Sequence, residues 1–504
     1  MSNCPRFNAA EKALQLQRYS LSWDQLIPHF DGKTMFSILT QRSRLCDGVS
    51  RREAMKVGGL SALGLSSATL ASSLMLPSAC RAGILSAPKF GKAKSAILIW
   101  LLGGPPQHET WDPKPDAAED VRGELNVIQT KIPGLIVGEL MSKAAEHVDK
   151  IAVLRSVVSH DNAHSSSGYQ MLTGVQHQPL TAENVVSKRP NLHPNLGAMI
   201  RKFMPEKGGL PSSISLPYHI ANDGEILWPG QGAGFMGKKF DPWLIRCDPS
   251  SPNFKPPSIA LPKEMSLGRF DERKQLLAEL QSNLSRLNQT AEISPEAIYD
   301  EQAIELLTEG KSRDAFRLDK EDNATRDSYG RTRFGQSCLL ARRLVESGVK
   351  LVQVNWTRLK NAPNNGTWDT HAVHTKSLKD HLLPVADQSY AALLDDLSKR
   401  GMLDETLVAW VGEFGHTPKF NANGGRDHWG RCFSVALAGG GINGGVVHGK
   451  SDKHAADPIE GKVEPKDITA TILHCLGLSP TTEYHDDEGR PLPLSRGRVI
   501  DEIL

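Results

Sequence analysis

Histidines stand beside carboxylates at five places in the chain. The groups are His108, Glu109 and Asp112; His160, Asp161 and His164; Asp369, His371 and His374; Glu413 and His416; Asp427 and His428. Imidazole and carboxylate are the ligands that hard and borderline divalent metals take, zinc among them. Asp369-Thr370-His371 has i, i+2 spacing, which on extended backbone turns both side chains the same way. One loop histidine is usually a hydrogen-bonded surface residue. Five groups argue for a polar site only if the fold gathers them.

The elements that must position them are legible as apolar runs. Ala96–Leu102, Ile151–Leu154, Lys350–Trp356, Leu407–Val411 and Phe433–Ala438 read as strands covered on both faces. Helical patterns lie between them. Gln336–Ser347 stops at Gly348, Leu383–Arg400 at Gly401, and Lys466–Leu476 at Gly477. Strands alternating with helices imply an α/β fold, a mostly parallel central sheet with helices on both faces. Ligands of such sheets bind beyond the carboxyl ends of the strands. A His/carboxylate group follows each of the first four strands, and the fifth group just precedes the last strand. Convergence on one sheet edge is therefore expected.

From about Val185 to Tyr329 strand patterning is sparse. A Gly/aromatic stretch (Trp228 to Trp243) and a charged amphipathic helix near Arg273 to Leu287 suggest an insertion, about 185–329, that covers or shapes a site. The rings of that stretch would suit either a sugar face or the insertion's own core.

The chain has 504 residues, 39% of them hydrophobic, which is ample for a thick core. Basic and acidic residues nearly cancel, 59 against 57, and no Lys/Arg run stands out. Nothing points to nucleic acid or an anionic membrane as partner. The four cysteines of the main domain, Cys247, Cys338, Cys432 and Cys475, are widely spaced; they leave room for one bridge but read as buried small hydrophobes.

Ser50-Arg51-Arg52 opens onto a mildly apolar stretch, Val57 to Leu76, diluted by Gly and Ser. A basic pair before such a stretch is the pattern of a twin-arginine signal, expected at 51–82. Cys80 and Ala82 fit the cleavage pair, so Gly83 would start the mature chain. Residues 1–50 form a leader unusually long for a signal, and Met35 is a second candidate start. The expected location is the periplasm or cell envelope, with the twin-arginine translocase as partner during export.

Several blocks carry a family resemblance. Ile99-Trp-Leu-Leu-Gly-Gly-Pro-Pro-Gln-His-Glu-Thr-Trp-Asp-Pro-Lys-Pro115 resembles the opening block of an exported family, domain of unknown function 1501. So do Met171-Leu-Thr-Gly174, Leu340-Ala-Arg-Arg-Leu-Val345, Trp368-Asp-Thr-His371, Gly412-Glu-Phe-Gly415 and Gly425-Arg-Asp-His-Trp429, in family order from about residue 93 to the C-terminus. The resemblance implies the alkaline phosphatase and sulfatase superfamily, an α/β sandwich around a one- or two-metal ester-hydrolysing site, as one domain over 93–504. Val463 to Leu473 is similar to the sulfatase segment that closes that fold. The departures are informative. Sulfatases set Cys or Ser eight residues before the Leu-Thr-Gly; this chain has His164 there, and Gly168 where they have Arg. A formylglycine nucleophile is excluded at that place. The superfamily's Asp ligand after the first strand is replaced by Leu101-Leu102-Gly103, and its pair after the fourth strand by Glu413-Phe414.

Two functions follow. The first is a metal-dependent hydrolase of phosphate or sulfate esters, acting on a small-molecule or glycan ester. Asp369, His371, Glu413, Asp427 and His428 would hold a divalent metal (zinc, calcium or similar), with His108 a further ligand. His164 and Ser165 would be catalytic; Ser165, Ser166 or Ser167 could supply a hydroxyl activated by the metal or a nearby His, or a metal-bound water could replace the nucleophile. The alternative is a non-catalytic exported binding protein on a degenerate hydrolase scaffold.

Overall fold

The computed structural model describes residues 89–252 and 314–504, apart from 205 and 207–209, with a few isolated positions between them. The leader, the export signal and most of the helix expected near Arg273 to Leu287 lie outside the described residues. Every element below belongs to the compact unit Ser86–Leu504.

Eight strands form the central sheet: β1 (Ser95–Trp100), β2 (Ile151–Val157), β3 (Ser213–Leu216), β4 (Trp243–Leu244), β5 (Leu351–Asn355), β6 (Thr406–Val411), β7 (Phe433–Ala438) and β8 (Val447–His448). Their order is β8-β2-β7-β6-β1-β5-β3-β4. β1 lies between β6 and β5, parallel to both, and β3 and β4 extend the parallel half. All residues of β1, β5, β6 and β7 are buried. The apolar runs thus mark strands with both faces covered. The fold is α/β with a mostly parallel sheet.

Two features differ from expectation. β7 runs antiparallel to both neighbours, β2 and β6. Its beginning, not its end, therefore lies at the edge where β6 ends. That direction is why Asp427 and His428 precede their strand while the other groups follow theirs. The segment 185–329 also does more than cover the domain, because β3 and β4 within it pair into the central sheet. Both are short, four and two residues, too brief to stand out from their surroundings in the sequence.

The helices that matter for the site are α1 (His164–Thr173), α2 (Leu196–Phe203), α3 (Arg333–Glu346), α4 (Leu383–Lys399) and α5 (Pro465–Cys475). α3 packs on β5 and on α4, and α1 packs on α5. Arg342, inside one of the family blocks, is wholly buried and ties α3 to Asp396 of α4 at 2.8 Å and to Glu321 at 2.7 Å. α1 ends at Gly174 in the left-handed conformation. Trp368, the residue before Asp369, packs edge-to-face on Trp356 and Trp410 at centroid distances of 5.4 and 6.1 Å. Cys338, Cys432 and Cys475 are buried, Cys247 is half-buried, and none is bridged.

Candidate metal centre

Four residues from three distant stretches meet at the sheet edge. Asp369 lies on the long connection after β5, and its carboxylate is the hub. Its Oδ1 lies 2.7 Å from His428 Nε2 and 2.9 Å from His371 Nε2, and its Oδ2 lies 3.2 Å from His164 Nε2. His371 Nε2 and His428 Nε2 are 3.0 Å apart. His164 is the first residue of α1. His428 is fixed by a short antiparallel ladder against His416.

Each imidazole is anchored at its other nitrogen. His428 Nδ1 donates to the Asn162 carbonyl at 2.7 Å, His371 Nδ1 to Asp427 Oδ1 at 2.8 Å, and His164 Nδ1 to Glu413 Oε1 at 2.9 Å. A carbonyl or carboxylate only accepts, so in neutral rings all three lone pairs sit on Nε2, aimed at Asp369. Histidines that hold metals are oriented in this way. Three such lone pairs and a carboxylate this close repel unless positive charge sits among them. His164, Asp369 and His428 each offer a ligand atom within 4.8 Å of the others, so the residues present fit a divalent cation. Without one, protons supply the charge. Burial opposes charging His164, but Asp369 and Glu413 outweigh it and raise its pKa to about 10. His371 rises to about 9, chiefly through its bond to Asp369. Asp369 is held far below the usual carboxylate range, its burial outweighed by bonds to the three histidines.

The expected site residues divide accordingly. Asp369, His371, His428 and His164 come together. Glu413 and Asp427, expected as ligands, instead grip the outer nitrogens of His164 and His371. Glu413 Oε1 also accepts the Gly103 N–H at 2.7 Å. Gly103 stands where the first-strand Asp was missing. A Cβ there would lie 2.2 Å from the Asp369 nitrogen, and its φ is +105°, so no side chain fits. His108 is not part of this centre. It is buried elsewhere, with Nε2 on the His454 carbonyl at 2.8 Å. Burial and the nearby Arg426 lower its pKa to about 4. Ser165, expected to be catalytic, is buried, and its hydroxyl donates to Glu183 at 3.1 Å. Ser166 accepts the Ala182 N–H, and Ser167 donates to the Glu413 carbonyl.

His108 lies beside a second, interior group. Glu109 binds Arg426 at 2.6 Å and lies 3.2 Å from His374 Nε2, while His374 Nδ1 is 2.6 Å from the Thr370 hydroxyl. All four residues are buried. Thr370 sits between Asp369 and His371, and Arg426 immediately precedes Asp427. This chain of contacts braces the two loops that carry the centre.

The centre opens into a cleft of about 450 Å³ lined also by Asn222, Trp228, Arg358, Asn365 and Thr367. Trp228 stacks on His164, centroids 5.6 Å apart. It can do so because residue 168 is glycine; a Cβ there would meet the indole at 2.4 Å. Neither the Asn162 carbonyl nor Arg358 had a signal in the sequence. Trp228 did, as part of the Gly/aromatic stretch.

Residues 93–504 match the family described as Protein of unknown function (DUF1501). The chain belongs to that family. Among solved structures, the DUF1501 chain is similar to the lipoteichoic acid synthase LtaP from Listeria monocytogenes, at 9% identity over 82% of this chain and 78% of that one, TM-score 0.37. It is similar to the PsFucS1 sulfatase from Pseudoalteromonas sp., at 13% over 77% and 68%, TM-score 0.34. It is also similar to the phosphonate monoester hydrolase SpPMH from Silicibacter pomeroyi, at 12% over 81% and 76%, TM-score 0.35. No curated protein matches it significantly.

Proposed function

We propose that this chain is an exported metal-dependent hydrolase of phosphate or sulfate esters, with His164, Asp369, His371 and His428 holding a divalent cation. The observation that carries this is the aim of three anchored imidazoles at one carboxylate inside an open cleft. A cation there would supply Lewis-acid polarisation of an ester oxygen and a readily deprotonated water. The chain's own residues do the rest. Glu413, Asp427 and the Asn162 carbonyl hold the three rings in place. Trp228 covers one face of His164. The serine hydroxyls after His164 are committed to other partners, so water rather than a serine is the nucleophile in this reading.

The same commitment of the serines is what a non-catalytic binding protein would show, and one measurement separates the two. The purified mature protein should carry a divalent metal in near-stoichiometric amount and turn over aryl phosphates or aryl sulfates. His371→Ala and His428→Ala should each lose the metal while keeping the far-UV spectrum. Bound metal without turnover of any ester would favour the binding protein. Retention of metal by both variants would show that the centre lies elsewhere.

A further inference from the structure

Among the described residues lining the cleft beside the histidines, one carries a Lys/Arg side chain, Arg358. It leaves the connection after β5, and its guanidinium meets Asp223 at 2.7 Å. Asp223 lines the same cleft. Its side chain is 70% exposed and that of Arg358 is 38% exposed. Exposed pairs of this kind are weak and readily exchanged.

The pair is nevertheless well placed. Asp223 and Gly224 form the tip of a turn closed by the Asn222 N–H on the Ile226 carbonyl and by a bridge between Ala221 and Leu227. The second oxygen of Asp223 accepts from Asn365 at 2.8 Å. Arg358 in turn donates to the Ala221 carbonyl at 3.3 Å. A guanidinium, a carboxamide donor and the histidine centre therefore share one cleft. At present the donors of Arg358 and Asn365 are satisfied by a carboxylate of the protein itself.

We infer that Arg358 holds the anionic group of the substrate, and that Asp223 takes that group's place on Arg358 and Asn365 until substrate arrives. This rests on the reading of the centre as an ester-hydrolysing site and deepens it. A tetrahedral oxyanion presents the same paired oxygens to a guanidinium fork as a carboxylate does. Binding would exchange one ion pair for another and leave Asp223 to water. Asp223 is then a built-in competitor, and the ester must be anionic on the oxygens that face Arg358.

Inorganic phosphate and inorganic sulfate are the probes, titrated by calorimetry into the metal-loaded mature protein. Arg358→Ala should weaken phosphate binding by about tenfold or more, as for loss of a charge-assisted bond, with metal content unchanged. Arg358→Lys should fall between the two. Asp223→Asn should tighten binding, roughly two- to fivefold, the equivalent of one exposed pair. A merely structural role for the pair predicts the opposite sign for Asp223→Asn. Phosphate or sulfate bound equally by wild type and Arg358→Ala overturns the inference and leaves the ester-hydrolase reading standing. Failure of the wild type to bind either ion overturns both.

Discussion

Glu413 and Asp427 were expected to touch the cation, and they touch the histidines instead. A metal ligand and the carboxylate that orients it carry the same signature in sequence, an acidic residue near a histidine. Only the side-chain direction separates them. Substituting Glu413 tests the difference. Gln keeps an oxygen able to accept from Gly103 and His164, so Glu413→Gln should retain the metal with affinity lowered by roughly tenfold. Glu413→Ala frees the His164 ring and should cost closer to a hundredfold. Equal loss in both would mean that the Glu413 charge itself binds the ion. The serines misled for a related reason: three hydroxyls after His164 suggest a nucleophile, while their neighbours Glu183, Ala182 and the Glu413 carbonyl lie far off in sequence.

The histidine charges also set a pH dependence. In metal-free protein His164 and His371 have pKa values near 10 and 9, above the ordinary 6.5. Their protonation therefore favours the folded state in full below about pH 6.5. That contribution fades as pH rises through 9 and 10. Metal-free protein should show a melting midpoint that declines from pH 6.5 to 10, and saturating metal should flatten the decline. A midpoint independent of pH over that window without metal would contradict the geometry.

At the scale of elements, the long strands were legible because burial on both faces leaves no alternation to confuse. β1, β2, β5, β6 and β7 all fall where apolar runs predicted them, within a few residues. Strand direction is set by pairing partners and has no local signal, so the reversal of β7 was not legible. His108 lies apart from the centre because the turn after β1 folds inward. Gln107 bonds the backbone of His416 there, and His108 is drawn beneath the loops rather than onto the edge. Gly103 marks how tightly that turn meets the Asp369 loop. Gly103→Ala should destabilise the domain by at least about 2 kcal/mol through strain and overlap, and it should weaken metal binding by displacing Asp369. Unchanged stability by chemical denaturation would show that the two loops are free to part.

At the scale of the whole molecule, the export proposed above fits a domain with a buried core and a pre-oriented centre, because the twin-arginine route moves folded cargo. Replacing Arg51 and Arg52 with lysines should leave the protein in the cytoplasm, as read by cell fractionation. Normal amounts outside would mean another route.

His164 and Glu413 touch across 249 residues of chain, and Asp369 meets His428 across 59. Contacts this distant form late, because long loops must close before any of them is rewarded. A ribosome would release most of the sheet before the first anchored imidazole found its partner. The centre is therefore a clock of sorts. If the centre holds the proposed ion, capture would come only once nearly the whole domain has closed, and a chain carrying the ion would report, by that fact, that its folding was finished.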